Sequence, residues 1–545
     1  MSLINSNPQI ASKINDLWNK FWSGGISNPL TAIEQITYLL FMKKYDENDL
    51  EELSKAEFTG DLYTSKFKGT FFATKQDEEN NQNGIDKQDL RWSNFKRLPA
   101  DDMLQHVQRY VFPFIKTLDT DESPFVKHMA NAVFIIPKPS LLLEAVKSID
   151  DIFDLMEQDA TQNGQDFQDI QGDVYEMLLS EIASAGKNGQ FRTPRHIIKL
   201  LAELVNPKLG QRIADPACGT GGFLLGAYQY MVTQLDKEKD KQQPDEDGFI
   251  RSSRSALLTE DVKGILGSSL QGYDIDQTMV RLGLMNLMMH GIESPQIDYK
   301  DTLSKSYFET SEYDVVLANP PFTGNVDKGD IHEELSLKTT KTELLFIERI
   351  YNMLKMGGTA GIVIPQGVLF GSGKAFVDAR KLMIEKSELK AVVTIPSGAF
   401  KPYAGVSTAI LIFTKGGETE NVWFYDMESD GYTLDDKRAK LKDKEGNNDY
   451  GDLQDIITNY KTRDPKQEND RKAKHFFVSK KEIKDEGYDL SFSRYKEEVF
   501  EEIVYEKPDL ILEKLLGKFD ANGEVIEKGL EQEISEGLNE LKELF

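Results

Sequence analysis

Val315-Val316-Leu317-Ala318-Asn319-Pro320-Pro321-Phe322 is the stretch on which the reading of this chain turns. Its first four residues are apolar and partly β-branched, which predicts a buried strand. Two prolines then end it, because neither could sit in a central strand. Asn319 therefore stands where a strand gives way to a loop, and open α/β sheets bind ligands at the carboxyl ends of their strands. The Asn319 amide has one acceptor oxygen, and the carbonyl of Pro320 offers a second. Two acceptors side by side suit an exocyclic amino group with two hydrogens. Pro320 and Pro321 stiffen the loop, and Phe322 supplies an aromatic face for a planar base. The bland alternative is a proline turn after a core strand.

Upstream, Asp215-Pro216-Ala217-Cys218-Gly219-Thr220-Gly221-Gly222-Phe223 follows a short apolar run and precedes a second one. Strand, glycine-rich turn and helix in that order are what a Rossmann-like nucleotide site requires. The glycines let backbone approach a ligand, and the helix N-terminus favours a carboxylate. The spacing fits neither a dinucleotide fingerprint nor a P-loop. Before it, Gln190-Phe191-Arg192-Thr193-Pro194-Arg195 leads into an apolar helix, with Thr193-Pro194 as its cap and first position. Another helix is expected from about residue 173. Residues 235–257 are charged and read as an exposed excursion. Residues 270–276 read as a strand ending in an acid, and an acid at that place binds ribose hydroxyls. A further short strand ends at Asp301.

Beyond Phe322 the alternation continues, with helices over 344–354 and 375–384 and strands over 360–364, 390–395 and 407–414. The last two strands are too close for a helical crossover, so they should pair antiparallel. The first 165 residues read as helical, through Ile10, Ile14, Leu17 and Phe21, then 33–41, then Met103, Val107 and Val111. Residues 76–89 read as a solvated loop. After Gly416 the composition turns polar. A hairpin-like piece covers 421–434, and a terminal helix carries Leu530, Ile534, Leu538, Leu541 and Phe545 on one stripe. That stripe packs either on the chain's own body or on a partner.

Composition narrows the function. The chain has 545 residues, a net charge of −26 and one cysteine, Cys218. A single cysteine allows no internal disulfide and points to a reducing cytoplasm. The N-terminus lacks a signal peptide, and no apolar run approaches a membrane span. Six histidines and one cysteine without ligand spacing offer no metal site. The acidic charge is the wrong sign for binding DNA through the bulk field, so nucleic-acid contact must use a local patch or a partner.

Taken together, the motifs at 190–195, 215–223, 301–303 and 319–322 resemble, in that order, the modification subunit of type I restriction–modification systems, an adenine-specific N6 DNA methyltransferase. The resemblance spans nearly the whole chain. It implies an α/β S-adenosylmethionine-dependent methyltransferase sheet with an antiparallel edge hairpin. A helical domain (1–165) precedes the methyltransferase domain (166–420), and a C-terminal extension (421–545) follows with a partner-docking helix. It implies catalysis by Asn319, Pro320, Pro321 and Phe322. S-adenosylmethionine binding is implied for Gln190, Phe191, Arg192, Thr193, Pro194, Arg195, Asp215, Ala217, Gly219, Thr220, Gly221, Gly222, Asp274 and Asp301. For Asp301 the implied contact is the cofactor's adenine amine, the alternative a helix cap. Asp274 departs from the glutamate usual in the family. The implied partners are double-stranded DNA with a flipped adenine, a separate specificity subunit bound by two copies of this chain, and a restriction subunit. A protein-glutamine methyltransferase and a binding-only assembly subunit remain as rivals.

Overall fold

Nine strands form the sheet to which residues 315–318 belong: β1 (Ile213–Asp215), β2 (Leu270–Asp274), β3 (Gln296–Tyr299), β4 (Tyr313–Ala318), β5 (Leu354–Pro365), β6 (Ser387–Ile395), β7 (Thr408–Lys415), β8 (Asn421–Asp426) and β9 (His475–Ser479). They lie in the order β9-β8-β6-β7-β5-β4-β1-β2-β3. The computed structural model describes residues 8–120, 122–163, 193–252, 257–401, 405–497, 507–520 and 522–543. The helix expected near residue 173 and the candidates Gln190, Phe191 and Arg192 fall outside these residues.

Strands β1 to β5 are parallel neighbours, with Ile213 beside both Leu270 and Val315. Strand β7 runs antiparallel between β5 and β6, with Thr394 opposite Ala409. The expected antiparallel pair is therefore present. It is not the last of the sheet, because β8 adds parallel to β6 and β9 antiparallel to β8. The sheet thus runs on past residue 420, where the sequence suggested a new segment. Trp423, Phe424 and Tyr425 on β8 are fully buried, and nothing in their polar flanks announced it.

Alternate residues along the strands feed two cores, as the period of two demands. Val315 and Leu317 enter one, while Val316 and Ala318 enter the other. A sheet covered on both faces explains why its strands read as continuous apolar runs. The first core is continuous with that of the N-terminal helices α1 (Pro8–Ser23), α2 (Pro29–Thr59) and α3 (Pro139–Asn163).

Helix α2 is far longer than the expected 33–41. Asn28 caps it by accepting the N–H of Thr31, and it ends at Gly60 in the left-handed region, φ +80°. Its acidic second half disguises a buried face: Arg91 donates to Asp46 at 2.7 Å and to Asp49 at 2.6 Å. Residues 76–89 are largely exposed as expected, but include a short helix, Lys75–Glu79, and Ile85–Asp86 paired with Thr70–Phe71.

The excursion at 235–257 is corrected more substantially. Phe249 and Asp247 are buried, and Lys199 donates to Asp245 at 2.7 Å and to Asp247 at 2.8 Å. Charge compensation across elements, invisible in a linear sequence, holds this segment down.

Among the described residues, no helix is long and apolar enough to cross a membrane. The structure divides into two compact units, Met1–Lys496 and Glu497–Phe545. The second contains α9 (Pro508–Leu516), a short hairpin, and α10 (Leu530–Glu543). Leu530, Ile534, Leu538 and Leu541 are each at least half exposed.

Candidate functional site

The carboxyl ends of β1, β2 and β4 open into one cavity of ≈ 810 Å³, within the range of small-molecule and cofactor sites. Helix α4 (Arg195–Val205) brings Thr193 to it, α5 (Gly222–Leu235) the glycine turn, and α6 (Gln277–Met289) the residues after Asp274.

The glycine turn is cross-linked to its neighbours. Cys218 N–H donates to the Tyr273 carbonyl at 2.9 Å, Asn286 Nδ2 to the Thr220 carbonyl at 2.9 Å, and Thr302 Oγ1 to the Pro216 carbonyl at 3.1 Å. Asp274 Oδ2 accepts the N–H of Gly219 at 2.8 Å, while its Oδ1 accepts that of Asp276 at 2.9 Å. An ionised carboxylate has about four acceptor sites, so both oxygens retain capacity for hydroxyl donors. Asp301 lines the cavity and also caps its own turn, its Oδ1 accepting the Leu303 N–H at 2.9 Å.

Of the expected cofactor residues, Thr193, Asp215, Ala217, Gly219, Thr220, Gly222, Asp274 and Asp301 line the cavity. Pro194, Arg195 and Gly221 do not. A Cβ on Gly221 would point at Leu287 and Ile297, 3.5 and 3.6 Å away. Gly221 supplies a φ of +78° at the cap of α5. Asn319 and Pro321 line the same cavity; Pro320 and Phe322 do not. Phe322 is buried, its ring edge-on to Phe400 with centroids 5.8 Å apart.

The most telling detail is at Asn319. Its Nδ2 donates to Thr193 Oγ1 at 2.9 Å, and its Oδ1 is buried with no hydrogen-bond partner. Buried polar atoms are nearly always paired, so an orphaned acceptor in a cavity marks a place for a donor. Sequence reasoning missed Pro29 and Leu30, which reach the cavity from the start of α2, and also Tyr299, Thr342 and Phe346. Only the fold brings the first two here, along with the ion pair that holds α2 to α6, Arg281 Nε to Glu34 at 2.7 Å.

Asp215 is fully buried, and burial pushes its carboxyl up to about 8, with the charge of Asp274 adding to the effect. Its unfolded value lies near 4, so the folded chain holds the extra proton between about pH 4 and pH 8. Stability must then fall as pH rises through that window. Without cofactor, Asp215→Asn should gain melting temperature over the unaltered chain progressively from pH 4 to pH 8, with a constant gap above. A gap independent of pH across thermal melts would refute this.

Residues 166–502 match the N-6 DNA Methylase family, and residues 10–149 match the HsdM N-terminal domain. The chain belongs to the N-6 DNA methylase family. The methylase is 31% identical over 426 residues to the type I restriction enzyme EcoEI methylase subunit of Escherichia coli, an alignment covering 76% of each chain. A type I restriction–modification system methyltransferase subunit from Streptococcus thermophilus shares the fold. Its TM-score is 0.62 at 21% identity, over 90% of this chain and all of that one. A chain from a structure of type I restriction–modification complex assembly and conformational transition gives 0.60 at 25% identity, over 98% of each. The methylase is thus a type I modification subunit, an adenine-specific DNA methyltransferase whose cofactor is S-adenosylmethionine. A cavity of this size, with a glycine turn, strand-end acids and an orphaned acceptor, fits that group.

Proposed function

We propose that this methylase transfers a methyl group to N6 of adenine in DNA, in the cytoplasm, as the modification subunit of a type I restriction–modification complex. The unpartnered Asn319 Oδ1, in one cavity with the glycine turn and its acids, carries this reading. S-adenosylmethionine supplies an electrophilic methyl on a sulfonium. The turn at 219–222 receives it, Asp274 holds ribose hydroxyls, and Asp301 takes the adenine amine of the cofactor.

The target amine is a poor nucleophile because its lone pair is delocalised into the ring. Asn319 Oδ1 and the Pro320 carbonyl accept its two hydrogens, drawing the nitrogen towards tetrahedral geometry and freeing the lone pair. This is positioning and electrostatic preorganisation, with no strong base required. The target base must leave the duplex, at a few kcal/mol. Stacking on Phe322 returns about 1–3 kcal/mol.

Sequence choice falls to a separate specificity subunit. A net charge of −26 opposes unaided DNA binding, and the exposed apolar stripe of α10 offers a partner a docking face. Two copies of the chain on a two-part site, and a restriction subunit in the larger assembly, complete the complex. Purified alone, the chain should bind S-adenosylmethionine but hold duplex DNA weakly and without preference, with an affinity that falls steeply in salt. Adding the specificity subunit should produce site-selective adenine methylation, and removing residues 529–545 should weaken the assembly. Base-resolution mapping of a plasmid methylated by the isolated chain tests this. Site-specific marks would overturn the division of labour, and methyl transfer to protein glutamine or to nothing would overturn the activity.

A further inference from the structure

An amide side chain is useful to an incoming amine only one way round. If the Asn319 amide were turned by 180°, its NH2 would meet the NH2 of adenine, donor against donor. The side chain must therefore be held in place before substrate arrives. Among the described residues, the only hydrogen bond made by the Asn319 side chain is the donation to Thr193 Oγ1 at 2.9 Å, and it leaves Oδ1 as the unpaired end.

Thr193 is itself firmly placed. It precedes α4, whose buried face carries Ile197, Leu200 and Leu201. His196, one turn in, shares a 2.9 Å hydrogen bond with Asp430 and stacks on Tyr432, with ring centroids 4.7 Å apart. Lys199, a turn further, is held by Asp245 and Asp247. Tyr432 closes the network by donating to Asp247 at 2.6 Å. Two separate segments, 245–247 and 430–432, thus fix the helix whose start presents the hydroxyl, as a preorganised site requires of its supporting groups.

We infer that Thr193 is a positioning residue for methyl transfer: its hydroxyl anchors the Asn319 amide through Nδ2 and holds the side chain where its Oδ1 meets the adenine amine. This rests on the assignment of Asn319 proposed above, and it departs from the cofactor contact that the family resemblance implied for Thr193. A threonine-to-valine change keeps the shape and removes the acceptor; serine keeps the acceptor and loses only a methyl.

The test uses the full chain in its assembled methylating complex. Single-turnover transfer to DNA, S-adenosylmethionine affinity by calorimetry and the KM for DNA are measured for Thr193→Val, Thr193→Ser and Asn319→Ala. Thr193→Val should slow transfer by about 10²-fold, as a misplaced reacting group does, with cofactor affinity and KM essentially unchanged. Thr193→Ser should restore most of the rate. The inference is overturned if the valine variant loses cofactor affinity in step with rate, if its rate is unaltered, or if serine is as slow as valine. Normal transfer by Asn319→Ala would instead remove the underlying reading of Asn319, whichever way the Thr193 variants fall.

Discussion

Asn319→Ala should abolish methyl transfer while leaving S-adenosylmethionine binding nearly intact. The alanine removes a buried acceptor that has no partner of its own; among the described residues lining the cavity only the Thr342 hydroxyl shares that condition. That acceptor acts on the amine of the target, whereas the cofactor contacts assigned to Gly219, Asp274 and Asp301 remain. Loss of a single preorganised hydrogen-bonding group at a reacting centre costs about 10²–10³ in rate. Labelled-methyl transfer in a single turnover, set beside calorimetric cofactor affinity, separates the two effects. Retention of more than about a tenth of the rate, roughly 1.4 kcal/mol of barrier, would end the catalytic assignment. A parallel collapse of cofactor affinity would move Asn319 to the cofactor's side of the cavity.

Gly221→Val should remove cofactor binding and leave the chain folded. The first added carbon finds room, since a Cβ meets Leu287 and Ile297 at ordinary contact distance, 3.5 and 3.6 Å. The obstacle is the backbone: φ is +78°, where a β-branched residue is a genuine outlier. Holding such a conformation costs of order 1–3 kcal/mol, and the turn relieves it by moving. Its neighbours are then displaced, above all the Gly219 N–H that Asp274 accepts at 2.8 Å. We expect S-adenosylmethionine affinity to fall at least about tenfold, roughly 1.4 kcal/mol, with a melting temperature lowered by only a few degrees. Gly221→Ala should share most of the loss, because alanine meets the same backbone restriction. A tolerated alanine beside a crippling valine would show that bulk, not φ, is what matters. Unchanged affinity in both variants would place the cofactor elsewhere.

The strand that ends at Asn319 was legible because burial on both faces leaves an unbroken apolar run, and because proline is a sharp punctuation. The same holds for β1, its glycine turn and α5, and for β5, β6 and β7, whose expected extents agree with the structure to within a few residues at their carboxyl ends. Helix α2 was legible only in its apolar first half; its second half buries Asp46 and Asp49 against Arg91, and buried ion pairs look like surface in a sequence. The segment at 235–257 misled for the same reason. Strand β8 lies next to β6, and no local pattern states which strand a buried apolar run will join.

The sequence by itself determined the α/β alternation, the antiparallel pairing of β6 with β7, and the glycine turn, strand-end acids and Asn-Pro-Pro loop of the site. These depend on local chemistry: side-chain period, chain stiffness and the few residues that tolerate a given φ. Only the tertiary structure decided that the turn and the loop share one cavity, that α2 of the helical domain forms part of its wall, and that Gly221 sits in the left-handed region at the start of α5. It alone set Thr193 against the Asn319 amide, across 126 residues of chain. Hydrogen bonds and ion pairs at such separations follow from how the sheet is ordered and covered, and that order is a global balance of packing that no single stretch contains.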